Sequence, residues 1–142
     1  MNQEWNEVKL FHQKFNHPVS DVPTFIESQR AKNRAIWMME EISEFLIAKD
    51  IYEQADSIID LIYFALGTLV EMGIEPDNLF KIVQEANMSK LWEDGFPRYN
   101  EKDGKIIKPD NWEDPYQKIK SMIDSMMNRV VTTHEHPVEI YH

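Results

Sequence analysis

Five carboxylates in two neighbouring stretches of the sequence have the spacing of a single acidic site. The stretch EEISE places Glu40, Glu41 and Glu44 within a sector of about 100° on a helix surface. Asp56 and Asp60 are four residues apart, so they also share one helix face. If the two helices pack antiparallel to each other, all five carboxyl groups can meet.

Asp60 is the most informative of these residues because it interrupts the apolar run SIIDLIYFAL. An isolated carboxylate in an apolar interior is costly, so it must be paired, protonated, turned to solvent or bound to a cation. Hard cations such as Mg²⁺ prefer carboxylate oxygens, and helical spacing presents such oxygens side by side. The alternative is an ion network in which Asp60 pairs with Arg34 or Lys49 while the three glutamates face water.

Cationic and amide side chains follow the acidic stretches in the second half of the chain. Lysine and arginine neutralise phosphate oxygens in sites where a metal ion bridges those oxygens. Carboxylates followed by cations therefore predict a metal and a phosphate ligand, and the alternative is a solvated charged loop. These side chains are Asn87, Lys90, Arg98, Lys105 and Lys108.

Helical periodicity predicts the elements that must position these groups. Apolar residues recur at three- and four-residue spacing over 5–15, which indicates a first amphipathic helix. A second helix is predicted over 24–49 and carries the three glutamates. Its expected N-cap is Thr24, with Glu27 in the capping-box position.

Two further helices complete the predicted bundle. The third, over 52–73, is apolar nearly all round and ends at Gly73, so we expect it to be the central helix. The fourth, over 74–92, has Pro76 near its first turn.

The composition then changes over 93–115, where glycine, proline and lysine predict a structured loop with a short hairpin around Asp103 and Gly104. A last helix is predicted over 116–130. Residues 131–142 are predicted to be a flexible tail, and its three histidines have no predicted rigid element that would arrange them around a metal.

These elements predict a single all-α domain over 1–142. We expect an antiparallel four-helix-type bundle with a long loop containing glycine, proline and lysine, followed by a C-terminal helix. The formal net charge of −10 disfavours nucleic acid as a partner, and the absence of cysteine leaves only oxygen and nitrogen ligands for a metal. No apolar run is long enough to span a membrane and the first residues do not form a secretion signal, so a cytoplasmic location with no membrane partner is expected.

Several motifs together resemble a known family. EEISE at 40–44 is similar to an E-E-x-x-E half-motif, and DSIIDLIYFALGT at 56–68 is similar to the second acidic half that follows it. ANMSK at 86–90 and DGKIIKP at 103–109 are similar to N-x-S-K and D-G-K-x-x-K segments of one subgroup, and Arg34 matches an arginine six residues before the first glutamate. The sequence thus resembles the all-α NTP pyrophosphohydrolases, the MazG-like superfamily that includes dimeric dUTPases and phosphoribosyl-ATP pyrophosphohydrolases.

The chain departs from the family pattern at one position. The second acidic half is commonly E-x-x-D, and here Ser57 stands three residues before Asp60. Asp56, one residue earlier, can supply the lost carboxylate from the same face, as D-x-x-x-D variants do. This departure favours an alternative function, that of a non-catalytic helical sensor of nucleotide or metal, or an interaction protein.

The resemblance implies cleavage of a nucleoside triphosphate between its α and β phosphates, giving the monophosphate and pyrophosphate. The substrate would be dUTP or a non-canonical nucleotide, and phosphoribosyl-ATP is the narrower alternative. The implied cofactor is Mg²⁺, for which Mn²⁺ can substitute, and water is the nucleophile.

The resemblance also implies roles for individual residues. Glu41, Glu44 and Asp60 would bind Mg²⁺ with Asp56 completing the site, while Glu40 would bind a second metal or act as the base that orients water. Arg34, Asn87, Lys90, Lys105 and Lys108 would bind the substrate.

The base and a second copy of the chain are expected to contact aromatic side chains. Trp37, Tyr63 or Trp92 would stack on the base. A homodimer or homotetramer is expected, and the first helix offers Trp5, Phe11 and Phe15 to a partner helix, unless these residues pack within the chain.

Overall fold

The computed structural model describes the backbone of residues 1–134 and the side chains of residues 1–129. Its architecture is all-α, as predicted, with five helices and one two-stranded hairpin within the described part of the chain. The elements are α1 (Asn2–Lys14), α2 (Ser28–Ile47), α3 (Ile51–Met72), α4 (Asp77–Met88), β1 (Arg98–Tyr99), β2 (Ile106–Ile107) and α5 (Tyr116–His134).

The third helix is central, as predicted, because both α1 and α2 pack against it. Trp5 and Val8 of α1 join Leu66 and Val70 of α3 in the buried core. Burial of these side chains removes apolar surface from water, which is the main driving force for joining the helices. Trp5 therefore packs within the chain.

The start of α2 differs from the prediction. The helix begins at Ser28, and Glu27 is its N-cap, accepting hydrogen bonds from the backbone N–H groups of Gln29 and Arg30. The hydroxyl of Thr24 instead donates to the carbonyl oxygen of Val22. The prediction of Thr24 as N-cap was wrong because Glu27, rather than Thr24, satisfies the first free N–H groups of the helix.

A short connection turns the chain from α2 into α3. Asp50 caps α3 by accepting a hydrogen bond from the N–H of Glu53. At the other end α3 stops at Gly73, which has a left-handed φ of 68° as the sequence indicated. The tight turn makes α2 and α3 an antiparallel pair, and this pair carries all five carboxylates.

The second half of the chain makes its own set of contacts. A bend of 118° separates α3 from α4, and α4 packs on α5. The fourth helix ends at Met88, four residues before the predicted end, where Ser89 and Lys90 form turns. The predicted hairpin is present as an antiparallel pair, in which Arg98 faces Ile107.

The last helix is longer than predicted. It continues to His134, so the first four residues of the predicted tail are helical, and residues 135–142 lie outside the described part of the chain. Within the described residues no single helix is both long and apolar enough to cross a membrane, and only α3 and α4, taken together across their bend, reach that length and composition.

Candidate active site

The contacts between α2 and α3 fix the register that brings the carboxylates together. Arg30 near the start of α2 pairs with Glu71 near the end of α3. Two turns later on α2, Trp37 lies against Phe64, with ring centroids 6.0 Å apart. One further turn along both helices places Glu41 beside Asp60, since each turn advances antiparallel helices by about 5.4 Å.

Glu41 has the most perturbed carboxyl group of the cluster. Its Oε2 atom is buried and has no hydrogen-bond partner among the described residues. Burial raises the pKa of Glu41 to about 7, with further contributions from Glu44, Asp60 and Asp56. The four predicted ligands are thus close enough to influence one another.

Asp60 shares this environment. Burial first, and then the charges of Asp56 and Glu44, raise the pKa of its carboxyl group. Among the described residues no lysine, arginine or histidine forms an ion pair with Glu41 or Asp60. The cluster is therefore short of positive charge, which a bound cation would supply.

The outer members of the cluster are turned toward solvent. Glu40, Glu44 and Asp56 are all exposed. No three aspartate, glutamate or histidine side chains in the described part of the chain are arranged so that they could hold a metal ion as they stand. The donor chemistry nevertheless fits a hard divalent cation, because a buried unpaired carboxylate oxygen of Glu41 lies beside further carboxylates.

Ser57, the departure from the family pattern, is buried in this helix pair. Its hydroxyl donates to the carbonyl oxygen of Glu53 at 2.9 Å, so this donor has its hydrogen-bond partner within α3. A hydroxyl bound in this way brings no negative charge to the cluster. The nearest carboxylates on the same stretch of α3 are Asp56 and Asp60.

The alternative prediction, an ion pair of Asp60 with Arg34 or Lys49, is not observed among the described residues. Arg34 is buried and pairs with Glu71, at 3.1 Å between Nη1 and Oε2. Its other donors go to the carbonyl oxygen of Phe64 and the hydroxyl of Thr68. The structure thus places Arg34 in a network with Glu71, and its predicted role in substrate binding remains a prediction.

Sequence reasoning missed Glu71. Arg30 binds it as well, at 2.7 Å, so this buried carboxylate is held by two guanidinium groups. Asp60 was singled out because it is an acidic residue at the core-facing side of an apolar helix. Glu71, three turns later on the same helix, has the same feature and could have been found in the same way. Their environments differ because, within the described part of the chain, Glu71 has cationic partners and Asp60 has none.

Gly67 makes room for this network. A methyl group built on Gly67 would lie 2.5 Å from Nη2 of Arg34 and 2.8 Å from Nε2 of His12. His12 is itself buried, with Nδ1 2.8 Å from the carbonyl oxygen of Pro18. The close approach of α1, α2 and α3 around Gly67 therefore depends on a residue without a side chain.

The predicted phosphate ligands lie on the second half of the chain. Nζ of Lys90 donates to Oδ1 of Asn87, and the ammonium groups of Lys90 and Lys108 lie 5.6 and 4.3 Å from the centre of the Trp112 ring. Lys105 is exposed on the hairpin. Among the described residues no ion pair joins these cations to the carboxylates of α2 and α3.

A cavity of about 240 Å³ includes Trp37 and Tyr63 in its lining, which lie about one helix turn from Glu41 and Asp60 respectively. Its position was not predicted, although Trp37 and Tyr63 were expected to contact a base. The residues that line it are Phe11, His12, His17, Arg34, Trp37, Tyr63 and Phe64.

Comparison with known proteins identifies this arrangement. Residues 8–87 match the model of the phosphoribosyl-ATP pyrophosphohydrolase family, and the match includes all five carboxylates. A solved protein from Exiguobacterium sp. 255-15, provisionally assigned as an NTP pyrophosphohydrolase, is 32% identical, with a TM-score of 0.52 over 89% of this chain and 96% of that chain. No curated protein matches the chain.

The family match and the solved relative together identify the chain as a nucleotide pyrophosphohydrolase. The chain belongs to the phosphoribosyl-ATP pyrophosphohydrolase family.

Proposed function

We propose that this protein is a Mg²⁺-dependent nucleoside triphosphate pyrophosphohydrolase that releases a nucleoside monophosphate and pyrophosphate. The observation that carries the proposal is the buried and unpartnered Oε2 of Glu41, set among carboxylates that form no ion pair with any lysine, arginine or histidine in the described part of the chain. A buried carboxylate without a cationic partner lowers the stability of the fold, so stability alone does not explain its presence. It is useful where a cation and a polyphosphate must bind together.

Glu41, Glu44, Asp60 and Asp56 are the residues that would hold the cation. A bound divalent cation would neutralise charge on the phosphate oxygens in the transition state of hydrolysis. Glu40 is exposed next to Glu41, and in this proposal it accepts a hydrogen bond from the attacking water and orients it.

The cations of the second half would bind the pyrophosphate. The ammonium groups of Lys90 and Lys108 both lie over the Trp112 ring, and Lys105 immediately precedes β2 of the hairpin. Asn87 already orients Lys90 through a hydrogen bond of 2.8 Å. Because no ion pair joins this set to the carboxylates among the described residues, in this proposal substrate binding or assembly of chains brings the two sets together.

Assembly is supported by the exposed apolar surface of α2 and α3. Large contiguous apolar patches on a folded chain mark interaction sites, and most such assemblies are symmetric homo-oligomers. We therefore propose that a second copy of this chain covers the surface, as a homodimer or homotetramer. Its most exposed apolar residues at the turn between the two helices are Leu46, Ile47, Ile51 and Tyr52.

Two narrower functions have specific support. The buried serine at position 57, which leaves one carboxylate fewer, favours a nucleotide or metal sensor without turnover. The matching family model favours phosphoribosyl-ATP as the substrate.

One assay separates these three functions. The purified protein is incubated with Mg²⁺ and a panel of ribonucleotides, deoxyribonucleotides, dUTP and phosphoribosyl-ATP, and the products are resolved by chromatography. Monophosphate and pyrophosphate from a nucleoside triphosphate support the proposal, and cleavage of phosphoribosyl-ATP alone supports the narrower substrate. If every compound stays intact while an unhydrolysable analogue binds, the protein is a sensor.

A further inference from the structure

We propose that His12 and His17 form a pH-sensitive latch, which holds the connection between α1 and α2 (residues 15–27) on α2 and α3 and releases it when the pH falls. This latch would act whether or not the protein hydrolyses nucleotides, so it goes beyond the proposed function. The features that support it are the hydrogen-bond partners of the two imidazole rings and the charges around them.

The hydrogen bond of His17 requires a ring that has no proton on Nδ1. This atom lies 3.1 Å from Nη2 of Arg30. A guanidinium group has donors and no acceptor, so Nδ1 accepts the bond and the ring proton is assigned to Nε2. A proton added to Nδ1 would remove the acceptor and place two positive charges at hydrogen-bond distance. The bond between the connection and α2 therefore forms only with a neutral His17.

His12 is held in the other neutral tautomer. Its Nδ1 lies 2.8 Å from the carbonyl oxygen of Pro18, which can only accept, so Nδ1 carries the proton. Burial lowers the pKa of His12, and the charge of Arg34 acts in the same direction. The stability that comes from a neutral His12 is therefore present above its ordinary pKa of 6.5 and is lost as the pH falls below that value.

The surroundings of the two rings leave no room for further positive charge. The guanidinium groups of Arg30 and Arg34 face them from α2, and the carboxylate of Glu71 faces them from α3. Tyr63 of α3 lines the same cavity, and burial raises the pKa of its phenol, which stays neutral. Glu71 is already bound by both arginines, and the ring centroids of the two histidines are only 5.3 Å apart. A proton on either ring thus adds a charge that no carboxylate of this described cluster is free to balance.

The connection is held at two levels. The histidines hold its first residues, through the carbonyl oxygen of Pro18 and the guanidinium group of Arg30. Further along, the N–H groups of Ser20 and Thr24 donate to carbonyl oxygens at the end of α3. When the first level is lost, the second has to hold the connection alone, and its hydrogen bonds open more often. Both histidines also line the cavity of about 240 Å³, so release of the connection would open that side of the cavity.

The first test determines the two tautomers in the full chain. NMR of the imidazole nitrogens at about pH 7.5 shows which nitrogen of each ring carries the proton. We expect the proton of His17 on Nε2 and that of His12 on Nδ1. A His17 ring with its proton on Nδ1 would overturn the proposal, because this ring could not accept a hydrogen bond from Arg30.

The second test measures whether acid frees the connection. Hydrogen exchange gives the protection factors of the Ser20 and Thr24 N–H groups between about pH 7.5 and about pH 5.5, corrected for the intrinsic pH dependence of exchange. In His17→Gln the amide oxygen can still accept a hydrogen bond, but the side chain does not titrate. The control Lys14→Gln removes a cation from the exposed end of α1. The N–H of Ile119, which is hydrogen-bonded at the start of α5, is the internal reference.

We expect the protection factors of Ser20 and Thr24 in the unsubstituted protein to fall by about tenfold per pH unit for each proton taken up on opening, while that of Ile119 stays constant. On a logarithmic scale His17→Gln should lose at least about half of this dependence, with the remainder due to His12, and Lys14→Gln should lose none. Full dependence in His17→Gln, an equal loss in Lys14→Gln or a parallel fall at Ile119 would each overturn the latch. No nucleotide is present in either test, so their outcome is independent of the hydrolysis assay.

Discussion

At the scale of single residues, Glu41 and Glu71 show how context decides what a buried carboxylate does. Glu71 is bound by two guanidinium groups and belongs to the structure of the helix pair. Glu41 lies near Glu44, Asp60 and Asp56, and burial together with these carboxylates raises its pKa to about 7. Among the described residues an arginine neutralises Glu71 and no cationic side chain pairs with Glu41, so the two glutamates have different roles.

The raised pKa of Glu41 predicts how stability depends on pH in the metal-free protein. Between its ordinary pKa of 4.5 and about 7, the folded chain keeps a proton on Glu41 that the unfolded chain releases. Stability from this group is therefore present below pH 4.5 and is lost as pH rises toward 7. Urea unfolding at several pH values should show a steeper decline for the unsubstituted protein than for Glu41→Gln.

Glu85→Gln, on α4, is the control for this measurement and should follow the unsubstituted protein. If Glu41→Gln leaves the pH dependence between 4.5 and 7 unchanged, the raised pKa is not a property of the folded protein.

At the scale of elements, the register of α2 on α3 was only partly predictable. The helices, the central position of α3 and its stop at Gly73 followed from periodicity and from a glycine with positive φ. The pairing of Arg34 with Glu71 could not be predicted from periodicity, because a sequence does not show which of several acidic residues on α3 lies opposite a given arginine. The N-cap of α2 was misplaced for a similar reason. Thr24 and Glu27 are both able to cap the helix, and the path of the preceding loop determines which of them does so.

The Arg34–Glu71 contact predicts a large effect on stability. Arg34→Met leaves Glu71 buried with one guanidinium instead of two, and breaking a buried pair costs roughly 3–5 kcal/mol. Lys120→Met is the matched control, because Lys120 and Asp124 form an exposed pair of the kind that contributes less than about 1 kcal/mol. Urea denaturation of both variants measures the difference.

A cost for Arg34→Met no larger than that for Lys120→Met would show that the buried network does not hold α2 on α3. The variant Glu71→Gln gives an independent check, since it removes the charge that both arginines share.

At the scale of the whole molecule, the carboxylates and the cations that the sequence predicts for the site lie on different elements of the fold. Carboxylates gather on the α2–α3 pair, while Lys90 and Lys108 gather round Trp112 in the second half. Sequence reasoning found both sets from their residue types. It did not predict how the two sets lie relative to each other, because residue types do not reveal the 118° bend between α3 and α4.

The exposed apolar turn predicts an oligomer in solution. Leu46 and Ile47 are 75% and 76% exposed in the single chain, and a second copy would bury them. Light scattering should give the mass of a dimer or tetramer for the unsubstituted protein and a smaller mass for Leu46→Asp. Phe96→Asp introduces the same charge at an exposed aromatic residue of the loop and should leave the mass unchanged.

A monomer in the unsubstituted protein, or equal effects of Leu46→Asp and Phe96→Asp, would contradict assembly through this surface.

In the proposed function, nucleotide hydrolysis requires the carboxylate cluster around Glu41. This requirement is tested by measuring kcat/KM with Mg²⁺ for the unsubstituted protein, Glu41→Gln and the control Glu85→Gln, with circular dichroism to verify the fold of each. We predict a loss of at least about 100-fold for Glu41→Gln, with its fold retained and Glu85→Gln fully active. Turnover by Glu41→Gln equal to that of the unsubstituted protein would contradict the account and place the chemistry elsewhere in the molecule.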